Sequence, residues 1–132
     1  MIKKIVTPWY WLKILSAFEE GSYAKVLSLI ERIDISMVKK NLNFYLIYAS
    51  SLLHMGFHMQ ALDALKQASA LLRKKYKCTL QKDDYYYLDY YICSLFNVIL
   101  KIQKERTMDC PLNFDLKNVD RRIRKRFFIH IS

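Results

Sequence analysis

The chain has 132 residues, 53 % of them hydrophobic, with only two glycines and two prolines and a formal net charge of +10. That length suits one domain with a substantial core, and so little glycine and proline excludes a fold built on tight hairpin turns and points to an all-α one. No stretch approaches the roughly 20 consecutive apolar residues that a membrane-spanning helix needs.

Residues 1–100 carry 13 basic and 8 acidic side chains and residues 101–132 carry 9 and 4, so half of the net charge lies in the last quarter. A basic surplus attracts acidic partners. Ten tyrosines and seven phenylalanines exceed what a helical core of this size requires, so some aromatics are expected half exposed at an interface. The three cysteines, Cys78, Cys93 and Cys110, form an odd set with no close pair, which predicts neither a disulfide framework nor a zinc motif and implies a reducing cytoplasm. The opening MIKKIVTPWYWLKIL is broken by Pro8 and Lys13 and is followed by no small-residue cleavage site, unlike a signal peptide.

Thr7 followed by Pro8 predicts a helix start, because the threonine oxygen caps free amides and proline at the first helical position loses no hydrogen bond. The first helix is expected over residues 8–20, and its apolar set Trp9, Leu12, Ile14, Leu15 and Phe18 covers more than one stripe, which predicts neighbours on two sides. Gly21 ends it. Ser22 is a cap candidate for a second helix over residues 23–33, whose Val26, Leu27, Leu29, Ile30 and Ile33 face the first. A polar connection follows, then a third helix capped by Asn41 or Asn43 and ending near Met55.

Beyond Gly56 a fourth helix, residues 58–76, carries Ala61, Ala64 and Ala68 about one turn apart, small enough for close helix approach. Arg73, Lys74, Lys75 and Lys77 then place cations at its C-terminal, negative end. Residues 82–104 read as one long helix with Asp83 or Asp84 at its start. Its second half is apolar nearly all round, which predicts a helix sandwiched in the core. After a loop at 105–115, Leu116, Val119, Ile123 and Phe127 share one helical face and cations occupy the others, predicting a basic amphipathic helix at 116–127.

The two glycines sit in matching phrases: a helical run, a glycine, an aromatic, then another helical run. This internal repeat resembles the tetratricopeptide repeat, a helix-turn-helix unit of about 34 residues. In the second unit Tyr45 takes the large aromatic position, Tyr48, Ala49 and Leu52 follow in the first helix, and Ala61, Leu65 and Ala68 give the small, large, small pattern of the second. In the first unit Tyr10, Gly21, Tyr23 and Ile30 match, whereas Val26 and Ile14 stand where the family has small residues, and no proline closes the second unit. The architecture implied is a single domain over 1–132 of stacked antiparallel helix hairpins, 8–33 and 41–76, with 82–104 as a cap. A compact five- to six-helix bundle is the other all-α arrangement that these elements allow.

His54 and His58 have the four-residue spacing of a helical metal pair, but Gly56 lies between them and no third ligand is evident. No phosphate-binding glycine loop, nucleophile elbow or zinc-hydrolase motif is present. The expectation is therefore a protein that is not an enzyme and takes no metal or cofactor. The resemblance implies an inner, partner-binding face built from Trp11, Leu15, Asn43, Leu46, Ser50 and His54, with Trp11 and Leu46 as apolar anchors. Arg121, Arg122, Arg124, Lys125 and Arg126 add a basic surface. A cytoplasmic module that holds an acidic protein, in a specific form an immunity protein or antitoxin neutralising a toxin, is the leading expectation. A nucleic-acid-binding regulator that uses the basic C-terminal helix is the alternative, since phosphate and carboxylate attract the same charge.

Overall fold

The computed structural model describes residues 8–34, 36, 38, 40–110 and 112. Within them the fold is all-α: α1 (Pro8–Glu19), α2 (Tyr23–Ile30), α3 (Leu42–His54), α4 (His58–Leu71), a π-helical turn (Leu72–Tyr76) that continues α4, and α5 (Lys82–Ile102). No strand occurs among the described residues. The expected cap Thr7 and the expected basic helix at 116–127 lie outside them.

Each helix packs on the next in sequence, most extensively α3 on α4, and α5 also reaches α3. The reversals between partners are made by the backbone. At the end of α1, Gly21 adopts φ +75°, its N–H donates to the Phe18 carbonyl at 3.0 Å, and the Ser22 N–H donates to Ala17 at 2.9 Å. At the end of α3, Gly56 adopts φ +86°, its N–H donates to Leu53 at 3.2 Å, and the Phe57 N–H donates to Leu52 at 2.9 Å. Both are Schellman caps, in which a left-handed residue satisfies two carbonyls that the ending helix leaves free. The same device closes α5 at Lys104, φ 58°, with Glu105 N–H donating to Leu100 at 2.8 Å.

Helix starts are less uniform. Asn41 is extended, and its Oδ1 accepts from the Phe44 N–H at 3.2 Å, which settles the choice between the two asparagines as the α3 cap. Ser22 stands at the N-cap of α2 but makes no side-chain cap bond, so the expected serine cap is replaced by the Schellman turn before it. Helix α2 also stops at Ile30 rather than Ile33, because the Arg32 and Ile33 amides bond three residues back, to Leu29 and Ile30, and tighten the chain into a turn.

Two core clusters meet on α3. One joins Ile14, Phe18, Val26 and Ile30 from the first hairpin to Phe44 and Ile47. The other joins Leu42, Tyr45, Leu46, Ala49 and Leu52 to Ala61, Leu65 and Ala68 of α4 and to Tyr87, Leu88, Ile92 and Ile99 of α5. Ala61 and Ala68 are fully buried, and their small side chains let α4 lie close against α3. Positions thirty-five apart share a burial pattern: Ile14 with Ala49, Val26 with Ala61 and Ile30 with Leu65 are all buried. The larger side chain falls in the first hairpin in two of the three pairs.

Two packing expectations are corrected. Trp9 and Leu12 are 65 % and 62 % exposed, so among the described residues α1 is covered on one side only, by α2 and α3. The second half of α5 is likewise one-sided: Ile92 and Ile99 are buried, while Val98 and Ile102 face outward. Its apolar girth reflects an uncovered face, not a sandwich.

A methyl group added at Gly56 meets no atom within 4 Å, so its effect comes from backbone strain alone. Gly56→Ala is expected to lower stability by about 1–2 kcal/mol, and Gly56→Asn by less because asparagine tolerates the left-handed region. Urea denaturation of the two variants checks the order.

Candidate functional site

The predicted inner face divides once the helices are packed. Leu46 is fully buried and Ser50 and Leu15 nearly so, at 1 % and 8 % exposed, so these three serve the core and offer nothing to a partner. Leu46 and Ser50 are interior because α3 is covered from both sides, and Leu15 because it lies on the side of α1 that packs on α2 and α3. Trp11 and Asn43 remain partly exposed and His54 exposed. The His54 ring stacks on Tyr23, centroids 4.1 Å apart with 16° between planes, and its Nδ1 donates to the Ser50 carbonyl at 2.7 Å. A ring held this way is a positioned aromatic surface linking the C-terminal end of α3 to the start of α2. No group of three His, Cys, Asp or Glu side chains converges to hold a metal among the described residues. Arg121, Arg122, Arg124, Lys125 and Arg126 lie outside them.

The turn between α3 and α4 carries a second feature that sequence reading missed. Met55, Phe57 and Met59 are all exposed, and Phe57 lines a groove of about 460 Å³ with Leu27, Ile30 and Ile33 of the first hairpin and Tyr48 and Leu52 of α3. Glu31 and Gln60 supply its polar lining. The groove lies where the first hairpin, whose α2 has eight residues against fourteen in α4, meets α3 and the turn after it. Only the helix lengths and the pairing of hairpins reveal it.

A disulfide between Cys93 on α5 and Cys110 corrects the reading of the cysteines as unpaired; their Cα atoms are 5.9 Å apart although 17 residues separate them. The chain leaves α5 at its Lys104 cap, doubles back, and is fastened a second time by Asn97. That side chain accepts from the Met108 N–H and donates to the Met108 carbonyl, both at 2.8 Å, as a neighbouring strand would. Sequence spacing could not disclose this pairing because a helix reversal, not a short loop, brings the sulfurs together. Cys78 remains a free and exposed thiol.

Cations gather where α4 ends. Lys74, Lys75 and Lys77 at the π turn and Lys82 at the start of α5 are exposed, as is Lys40 before α3. The fold brings Lys75 to the segment before α3: its ammonium donates to the Lys40 carbonyl at 3.3 Å, and lies 5.5 Å from the centre of the Tyr76 ring. Lys82 lies 6.0 Å from the centre of the Tyr86 ring. The fourth basic residue of the run, Arg73, faces elsewhere, towards Tyr85 and a smaller cleft of about 210 Å³ that it lines with Asp89 and Cys93.

With the geometry in place, comparison with known proteins adds no relative: no family model matches this chain, and no curated protein or solved structure matches it.

Four tyrosines have phenols pushed above their ordinary value by burial: Tyr10, Tyr23, Tyr45 and Tyr85. At Tyr85 the nearby Asp89 carboxylate adds to the effect and Arg73 opposes it, and at Tyr10 Arg32 opposes it. Unfolded tyrosines lose their protons near pH 10 while these four still hold theirs, so the unfolded state binds fewer protons there and folding stability falls as pH rises. Urea midpoints are expected to decline as pH rises above about 10.

For the oxidised protein, thiol titration is expected to find one reactive group, Cys78, and three after reduction. The Cys93→Ser variant is expected to lose up to about 3 kcal/mol of stability, the loop-closure contribution of a bridge this long. Denaturation with and without reductant measures it, and Cys78→Ser leaves the difference unchanged.

Proposed function

We propose that this chain is a non-enzymatic helical-repeat module that holds an acidic protein partner. The observation that carries this reading is repetition. Two helix hairpins close with the same glycine cap, at Gly21 and Gly56, and bury matching positions around a shared α3. Hairpins of that kind, stacked by sequence neighbours, are what the tetratricopeptide resemblance implies, and such scaffolds work by presenting shape. The accessible anchors are Trp11, Asn43 and His54, and the basic surplus selects an acidic surface.

In its specific form the module is an immunity protein or antitoxin that covers the active site of a toxin. Small size, an aromatic surface and high charge suit that role. A second reading, a nucleic-acid-binding regulator, rests on the net +5 carried by residues 101–132. The expected cytoplasmic location rests on unpaired cysteines, whereas a Cys93–Cys110 disulfide persists in an oxidising environment, so the state of this pair in the cell decides the compartment. Alkylation at the moment of lysis blocks three thiols in a reducing compartment and one in an oxidising compartment.

Affinity purification with the tagged chain is expected to yield one acidic protein in stoichiometric amount, retained in moderate salt. Trp11→Ala combined with His54→Ala is expected to weaken that complex by roughly tenfold or more, as for central aromatic anchors. Submicromolar binding to nucleic acid with a steep salt slope, and no protein partner, would favour the regulator instead.

A further inference from the structure

We infer that the lysine corner formed by Lys40, Lys74, Lys75, Lys77 and Lys82 is the electrostatic docking site for an acidic polypeptide segment. This inference rests on the protein-binding reading and locates part of it on described residues. All five side chains are exposed, and among the described residues none is paired with a carboxylate. Of the two acidic residues that follow Lys82, Asp83 is partly buried and Asp84 buried. A group of exposed like charges attracts an anionic partner.

The corner is also held in shape. Helix α4 widens into the π turn at Leu72–Tyr76, where the chain carries its lysines, and Leu72 at the start of that turn is fully buried and anchors it to the core. Lys75 is tied to the Lys40 carbonyl thirty-five residues away, and the Thr79 hydroxyl donates to the Lys75 carbonyl at 3.2 Å. These contacts tie Lys75, at its ammonium and at its backbone carbonyl, to its surroundings.

Two features select carboxylates on a polypeptide over nucleic acid. Single-stranded nucleic acid needs aromatic faces on which bases stack, but here Lys75 sits over Tyr76 and Lys82 over Tyr86, and Tyr85 meets Tyr86 edge-on with centroids 5.6 Å apart. The five cations are also all lysines, which lack the planar fork with which arginine reads base edges bidentately, so the corner carries no base-reading group. An acidic segment supplies single carboxylates at spacings that separate ammonium groups can follow.

The test is fluorescence anisotropy of the full chain with a labelled oligoglutamate peptide and, separately, an oligothymidylate of matched charge. Lys74→Gln, Lys75→Gln and Lys77→Gln together are expected to weaken oligoglutamate binding roughly tenfold. The same charge change made at Lys25, Lys66 and Lys101, exposed elsewhere on the fold, is expected to cost less than about twofold. Far-UV circular dichroism verifies that both variants remain helical. Equal losses in the two variants, no measurable oligoglutamate binding, or tighter binding of oligothymidylate that is lost at the corner would each overturn the inference. An acidic partner from affinity purification that binds the corner variant unchanged removes the corner and leaves the protein-binding reading intact, whereas absence of any such partner removes that reading itself.

Discussion

Helix α3 carries two apolar faces that feed different cores, and the rest of the fold follows from the need to cover both. Phe44 and Ile47 point into the first hairpin, whereas Leu42, Tyr45, Leu46, Ala49 and Leu52 point towards α4 and α5. Nine of its thirteen residues are buried, so the helix has no side left for solvent except near Asn43, Tyr48 and its C-terminal end. A helix that apolar is unstable alone and is stabilised by tertiary packing more than by propensity. The glycine caps matter because they return the chain onto this wall within two residues: α2 begins at Tyr23 directly after Gly21 and Ser22, and α4 at His58 after Gly56 and Phe57.

The burial of α3 also sets what the surface can do. In a longer stack, first helices line a concave groove; here the same positions at Leu15, Leu46 and Ser50 are interior. Accessible side chains therefore lie at the edges of the fold. The accessible side chains are Trp11 on α1, Asn43 at the start of α3 and the Tyr23–His54 stack at its end, then the groove lined by Phe57, and the lysines near the Lys75–Lys40 contact. The stack, the groove and the Lys75–Lys40 contact each combine residues far apart in the chain.

The end of α5 is organised differently. There the chain reverses at Lys104, a non-glycine residue in the left-handed region. A lone side chain in that conformation costs roughly 1 kcal/mol, and the disulfide and the two Asn97 hydrogen bonds offset it by fastening the returning segment to α5. The first two reversals need no such fastening, because glycine carries no penalty and each is followed by a helix that buries apolar area.

The sequence by itself determined the helices, their order and their turning points. Apolar spacing of three and four, two glycines followed by aromatic residues, and Asn41 before an apolar run are local signals, and a helix is a local structure whose hydrogen bonds span four residues. The repeat was legible for the same reason, since equal local signals recur thirty-five residues apart. Only the tertiary structure decided which apolar residues are core and which are surface. The periodicity that marks Leu46 as an anchor and Ile102 as interior is the same whether or not a neighbouring helix covers them, and coverage depends on how many hairpins stack. Tertiary structure alone likewise paired Cys93 with Cys110 and brought Lys40 to Lys75, because those meetings depend on where reversed helices end in space, which no local spacing encodes.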